Sequence, residues 1–402
     1  MGWRSQSCTD ACVAVFDYDA IVLGAGAAGL MCAAVAGQRG RRVLLLDHAD
    51  QVGKKILISG GGRCNFTNIY TRPETYISAN PHFAKSALAR YAPADFIALV
   101  ERHGIAYHEK TLGQLFCDGS AKQVVAMLLD ECARGGVDVR CGQPVRQVTH
   151  ADGRFAVRFG DLDFAAPNLV IATGGPSIPK MGASGFAYDL ARQFGLKVVE
   201  PRPALVPLTL GGDDVLFREL SGVATPVEAR AGKAAFREAA LFTHKGLSGP
   251  AILQVSSYWR HGEPVTIDFL PDAAPGWLLD AKRARPRATL ASALALPDRL
   301  AQTLADRLAL PGELGAQTDR KLADAEARLK RWTFRPNGTE GFAKAEVTAG
   351  GISTANLSSQ TMMAKSVPGL YAVGEAVDVT GWLGGYNFQW AWASGHAAGQ
   401  AL

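Results

Sequence analysis

The sequence has no C-x-x-C pair and no Cys/His cluster with the spacing of a zinc site. Its seven cysteines, Cys8, Cys12, Cys32, Cys64, Cys117, Cys132 and Cys141, are odd in number and scattered. That speaks for reduced thiols in the cytosol and against a disulfide framework. No apolar run approaches the ~20 residues that a membrane-spanning helix needs. Residues 1–18 lack both a basic, then apolar, signal region and a cleavage motif, and read as an unstructured leader. A myristoylation reading of Met1-Gly2 fails because Gln6 stands where Ser or Thr is wanted. No charge sign dominates: a formal net charge of +5 over 402 residues names no partner. These absences leave a cytoplasmic protein with no membrane association and no metal site, long enough for two or three domains.

Glycine, by contrast, is plentiful, and its placement carries the chemistry. Ala20–Leu23 is a short apolar strand that breaks into Gly24-Ala25-Gly26-Ala27-Ala28-Gly29, after which Ala27–Arg39 reads as a helix. Gly24 permits the tight turn, Gly26 lets the backbone approach phosphates, and Gly29 allows close helix–strand packing. Helix amides then face an anion. A second strand, Arg42–Leu46, ends in Asp47, where a carboxylate can accept both hydroxyls of a ribose; a helix cap or loop residue is its competing role. Near the other end, Gly369–Gly374 reads as a strand that delivers Glu375 and Asp378 just past its carboxyl edge. Ligands of open α/β sheets bind at that edge. Gly384-Gly385-Tyr386-Asn387 then opens a helix over Phe388–Gln400, whose amides aim partial positive charge at what they face.

Between these ends lie the other candidates. Gly60-Gly61-Gly62, followed by Arg63, Cys64 and Asn65, makes a backbone that can touch a flat ring or a phosphate. Cys64 has no second thiol nearby, so packing against a cofactor is favoured over a redox or catalytic role. Leu169–Ala172 is a buried strand ending in Thr173-Gly174-Gly175. From about Leu196 the texture turns to proline and short alternating segments, an inserted β domain. There His244 and Lys245 sit on a Gly-rich turn, as substrate-pocket residues or as plain surface. Residues 276–330 read as a helical appendage. Its Lys282–Arg287 basic run could meet nucleic acid, but it lacks interleaved aromatics, and a solvated helix end is the favoured reading.

Six stretches together are similar to the BaiN/YhiN-like family of FAD-dependent oxidoreductases, bacterial Rossmann-type flavoproteins. They are VLGAGAAGL, KKILISGGGRCNFTN, ATGGPSIPKMGASG, THKGLSGPAIL, AEVTAGGI and GLYAVGEAVDVTGWLGGYNFQWAWASGHAAG. The resemblance implies an α/β fold: a Rossmann-type FAD-binding domain interrupted by an inserted β-barrel-like domain that carries a small helical subdomain. The expected boundaries are 19–194 and 346–402 for the FAD-binding domain, 195–270 and 331–345 for the β insertion, and 271–330 for the helices. It places Gly24, Gly26, Ala27 and Ala28 around the pyrophosphate and Asp47 on the adenosine ribose. Arg63, Cys64 and Asn65 fall along the flavin, Asp378 on the ribityl chain, and Gly385, Tyr386 and Asn387 at the pyrimidine side. The implied cofactor set also includes His48, Lys55, Ser59, Gly62, Val145, Ala172, Thr173, Gly174, Gly374, Glu375 and Gly384. Two departures stand out: the leader is unmatched, and Asp47 replaces the Glu of many flavoproteins.

Family members include reductases of conjugated carbonyl compounds and an amine-type oxidase. The expectation is therefore an oxidoreductase acting on a small organic substrate by hydride transfer through flavin N5, in either direction. Tyr386, His244 and Lys245 are the candidate catalytic side chains. No second G-x-G-x-x-G unit offers a nicotinamide site, so NADH or NADPH binds transiently or the substrate itself is the reductant. Two rival readings are a flavin-dependent RNA-modifying protein, which needs a basic face, and a FAD-bound redox sensor without turnover. The preferred partner is a small molecule, with nucleic acid disfavoured.

Overall fold

A computed structural model describes residues 15–402, which divide into two compact units. One comprises the chain up to Gly175, Met181–Pro201 and Gly350–Leu402; the other comprises Pro176–Lys180 and Arg202–Ala349.

The first unit is built on a five-stranded parallel sheet. In chain order its strands are β1 (Ala20–Leu23), β2 (Val43–Asp47), β3 (Asp138–Cys141), β4 (Asn168–Ile171) and β5 (Leu370–Ala372). Their order across the sheet is β5-β4-β1-β2-β3, with Leu23 opposite both Leu46 and Ile171. Nearly every residue of β1, β2 and β4 is apolar and buried, as a parallel sheet covered on both faces demands. Three helices complete the layer: α1 (Ala27–Gln38), α2 (Ala121–Arg134) and α3 (Tyr386–Ala401). Helix α1 packs against both α2 and α3. Its contact with α3 is backbone-close, because a Cβ on Gly395 would sit 2.4 Å from the Ala28 carbonyl oxygen. Helix α2 starts on a capping box, Ser120 with Gln123, and so needs no help from the ligand side. The Rossmann-type α/β architecture expected from the sequence is therefore present.

Smaller sheets belong to the same unit, among them the two-stranded pairing of Tyr76–Ile77 with Thr380–Gly381 and two larger ones. Strands 145–151, 154–159 and 162–166 form a meander, the first turn of which is Asp152-Gly153, both at positive φ (51° and 73°). Val15–Asp17 adds to it as a parallel strand beside Asp163–Ala165. The expected unstructured leader of residues 1–18 is corrected at its end: residues 15–18 are held by sheet pairing and by Tyr18 N donating to Ala165 O (2.9 Å). Residues 1–14 lie outside the described chain. The other of these two sheets pairs Asn65–Asn68 with Gln114–Cys117, and that strand with Tyr107–Glu109.

The second unit carries a seven-stranded antiparallel sheet whose longest pair is Ala224–Ala231 with Ala234–Thr243. Helices Trp277–Ala284, Leu290–Ala293, Asp298–Leu308 and Asp319–Leu329 follow in sequence before the chain returns to the sheet at Trp332–Phe334. No helix among the described residues is long and apolar enough to cross a membrane.

Candidate cofactor and active site

The turn after β1 brings three glycines together for three different reasons. Gly24 has φ +105°, and a Cβ there would lie 2.6 Å from the Ala172 carbonyl oxygen. On Gly29 it would lie 1.8 Å from the Gly24 carbonyl oxygen. Both are demanded by the protein's own packing. Gly26 is different: its φ is −84° and a Cβ would meet nothing within 4 Å. Nothing in the fold requires glycine there, so its missing side chain keeps space open before the helix. Helix α1 begins without a side-chain cap and without an acidic residue in its first turn. Its N-terminal amides are therefore left for an anion.

Asp47, at the end of β2, stands beside this turn. Its Oδ2 accepts a hydrogen bond from Ala25 N (2.7 Å) and its Oδ1 one from Ala49 N (2.8 Å). Gly142 N donates to the carbonyls of Asp47 and Ala49, tying down the loop that leads to Val145. His48 Nδ1 is 3.4 Å from Asp47 Oδ1, and its ring lies against Gly182. Strand β4 delivers Ala172, Thr173 and Gly174 to the same edge, and Thr173 Oγ1 is buried with no hydrogen-bond partner. Gly374 continues β5, and a Cβ on it would be 2.8 Å from the Ala28 side chain. Glu375 pairs with Lys55 (2.8 Å), while Gly174 lies 3.8 Å from Glu375 Oε2, measured from its ideal Cβ. Asp378 is buried and accepts from Ala79 N (2.9 Å).

The Ser59–Gly62 segment supplies a second open backbone. Gly60, Gly61 and Gly62 have φ of 57°, 67° and 85°, followed by Cys64 at 52°. Ser59 anchors its start by donating to Ile56 O (2.7 Å). A Cβ on Gly61 would touch nothing, while one on Gly60 would strike the Phe116 ring. Arg63 is exposed; Cys64 is fully buried, and burial raises its thiol far above the ordinary range. The group stays a neutral thiol at any working pH. Iodoacetamide at mildly alkaline pH is accordingly expected to leave Cys64 unmodified in the native protein and to label it after unfolding. Peptide mass spectrometry reads this directly, and rapid native labelling would restore a reactive-thiol role.

Asn65 connects that segment to the start of α3. Its Nδ2 donates to Gln114 Oε1 (3.0 Å), whereas its Oδ1 is buried without a partner. Gly385, at φ +95°, passes so close that a Cβ would be 2.4 Å from Thr67 O and 2.9 Å from Asn65 Oδ1. Gly384 is equally constrained by Gln114. Asn387 clamps the turn, accepting from Gly381 N (2.8 Å) and donating to the carbonyls of Gly381 (3.0 Å) and Trp382 (3.2 Å). Tyr386 is buried, and its carbonyl accepts from Tyr76 Oη (2.9 Å).

Thus Gly24 to Ala28, Asp47, His48, Lys55, Ala172 to Gly174, Gly374, Glu375 and Asp378 converge at one sheet edge. Ser59 to Asn65 and Gly384 to Asn387 form the adjoining wall. His244 and Lys245 belong to the second unit, on the hairpin turn after Thr243; Lys245 Nζ pairs there with Glu340 (2.9 Å) and His244 is exposed. One buried group was not anticipated. The Tyr188 hydroxyl has no hydrogen-bond partner, and burial, then the charges of Glu375 and Asp378, push it well above the usual phenol range. It lies in the helix Phe186–Gln193, where it reads from sequence as one more apolar-face residue.

Residues 18–401 match the family described as HI0933-like protein Rossmann domain. The chain is 52% identical to a protein of Escherichia coli (strain K12) named ribosomal RNA dihydrouridine synthase, over 96% of this chain and 98% of that protein. A Haemophilus influenzae protein of the same name is 45% identical, over 95% of this chain and 98% of the relative. A 3-dehydro-bile acid delta(4,6)-reductase of Clostridium scindens is 29% identical, over 94% and 98% of the two chains. The first two relatives overturn two expectations from the sequence, a small organic substrate and the disfavouring of nucleic acid. The first had rested on the activities of the resembling family's members and the second on the lack of aromatics in the Lys282–Arg287 run; the relatives favour the rival reading, a flavin-dependent RNA-modifying protein. In the structure Lys282 and Arg283 pair with Asp319 and Asp280, which offsets part of that run's charge.

Proposed function

The chain belongs to the HI0933-like family of FAD-binding Rossmann-domain oxidoreductases, and from that premise we propose that it reduces uracil rings of ribosomal RNA to dihydrouracil. The observation that carries this reading is end-to-end similarity, at 52% identity, to a protein named for that reaction. The 29% similarity to a bile-acid reductase supports the shared flavin chemistry and is too distant to set the substrate.

The residues present fit FAD. An uncapped helix N-terminus behind an open Gly26 suits a pyrophosphate, and the oriented carboxylate of Asp47 suits a ribose. The Thr173 hydroxyl, a donor and acceptor, and the Asn65 amide oxygen, an acceptor, are buried without partners, which a bound group would supply. Lys55, Glu375 and Asp378 would hold the stretch between nucleotide and ring, with Asn65, Gly385 and Tyr386 beside the ring. When bound, FAD supplies hydride equivalents for reduction of the C5=C6 bond of uracil, the second hydrogen arriving as a proton.

The chain's own contribution is to hold, orient and exclude water. Helix α3 presents its positive end at the wall beside Asn65 and favours negative charge there. The Cys64 thiol and Tyr188 hydroxyl are held neutral, so each keeps its proton at the atom. Reducing equivalents come from NADH or NADPH, bound transiently. To test this, FAD-loaded protein is incubated anaerobically with NADPH or NADH and deproteinised ribosomal RNA, and the digested nucleosides are weighed by mass spectrometry. The expected product is uridine heavier by two hydrogens. Unchanged uridine with full flavin occupancy and active nicotinamide oxidation would overturn the reading.

A further inference from the structure

Two exposed side chains beside the α3 turn, one at the tip of the Tyr107–Cys117 hairpin and one just after the Asn65–Asn68 strand, are placed at a cost that folding does not explain. Leu112 is 58% exposed and has φ +52°, a left-handed conformation that a leucine adopts only under strain. Tyr70 is 59% exposed, and Ile69 beside it 40%. The tyrosine is nevertheless positioned. Its backbone N donates to Asn68 Oδ1 (2.9 Å), and a Cβ on Gly113 would come within 2.6 Å of its ring, so the ring lies across Gly113. Ile69 N donates to Gly113 O (3.0 Å), joining the two edges of the patch.

The patch is coupled to the candidate site. Asn68, fully buried, uses its side-chain amide to donate to both Leu112 O (3.0 Å) and Gly384 O (2.9 Å). The same residue therefore sets the hairpin tip and the turn at which α3 begins. Around the patch the charge is basic. Arg63, Arg72 and Lys110 are exposed, and no ion pair engages them among the described residues; Lys110 lies over the Phe116 ring (5.6 Å). Of the nearby acids, Glu109 is engaged by the amide of Gly113 (3.0 Å) and Glu74 remains exposed.

We propose that Tyr70 and Leu112, flanked by Arg72 and Lys110, form the platform on which an unstacked base of the RNA substrate stacks next to the base being reduced. The inference rests on the RNA reading above and adds where and how the strand is held. An exposed aromatic amid unpaired cations is what a single strand needs, since every base has a π-face and every linkage a charge. A duplex offers the charge but not the face. A strained leucine is tolerated because its side chain widens the platform where glycine would relax the backbone.

Fluorescence anisotropy with a short single-stranded oligouridylate, and with its duplex, tests this on the full-length FAD-loaded protein. Tyr70→Ala is expected to weaken single-strand binding roughly tenfold or more, with Tyr70→Phe near wild type. Leu112→Gly is expected to weaken it as well while the melting temperature holds or rises, a combination that a purely structural role cannot give. Arg283→Ala, on the paired basic run, should leave binding unchanged. If Tyr70→Ala and Leu112→Gly bind the single strand as wild type does while ribosomal RNA is still reduced, the platform is wrong and the function stands. If wild type neither binds single-stranded RNA nor reduces ribosomal RNA, the function falls and the platform with it.

Discussion

Gly26→Ala is expected to fold as the wild type does and to emerge from purification without the yellow colour of bound flavin. The backbone at residue 26 has φ −84°, which alanine adopts freely, and the added methyl meets no protein atom within 4 Å. Gly26 is the N-cap of α1, where alanine is a poorer residue than glycine, so a stability loss of up to about 1 kcal/mol is expected, too small to unfold the protein. The larger cost is occupation of the space before the α1 amides. FAD affinity should drop at least about tenfold, or ~1.4 kcal/mol, by titration of the apoprotein. Gly24→Ala makes the contrast: at φ +105° and 2.6 Å from Ala172 O it should lose both fold and flavin. Normal flavin occupancy in Gly26→Ala would remove the pyrophosphate from this turn.

Asn387→Leu should have a large effect on stability through the α3 turn. It removes three hydrogen bonds at once and takes the Asn387 partner from the Gly381 amide and two carbonyls, inside a half-buried turn. At ~0.5–1.5 kcal/mol for each bond, with more for buried groups left unsatisfied, the loss is about 3 kcal/mol. Urea unfolding measures it, and flavin content should fall with it, because the turn sets where α3 begins. Asn387→Asp keeps the acceptor for Gly381 N and loses both donors, so an intermediate loss is expected. A variant as stable as wild type would mean that the turn is held by the surrounding backbone alone.

What the sequence revealed and what it hid divide along a physical line. The β1 turn, the α1 glycines and the Gly384-Gly385 start of α3 were legible because each is local: apolar strand, tight turn, helix, within a few residues. The Val15–Asp17 strand was not, since three residues show no period and their partner strand starts at Leu162. Tyr188 was hidden because helical spacing makes it a core residue, and only the fold aims its hydroxyl toward Glu375 and Asp378. The RNA surface was sought where basic residues are dense in sequence, at Lys282–Arg287. The exposed aromatic and the cations of the proposed platform instead come from two segments joined by the pairing of Asn65–Asn68 with Gln114–Cys117. Nucleic-acid surfaces of this kind are assembled by strand pairing, which composition does not record.

The most direct test is to reduce the flavin anaerobically and follow its reoxidation by stopped flow, adding deproteinised ribosomal RNA, free uridine or a steroid enone in turn. The expected result is reoxidation driven by the RNA, weak or absent with the nucleoside and the enone. Reoxidation by the enone with no response to RNA, or a purified protein that is colourless and refuses added FAD, would contradict it.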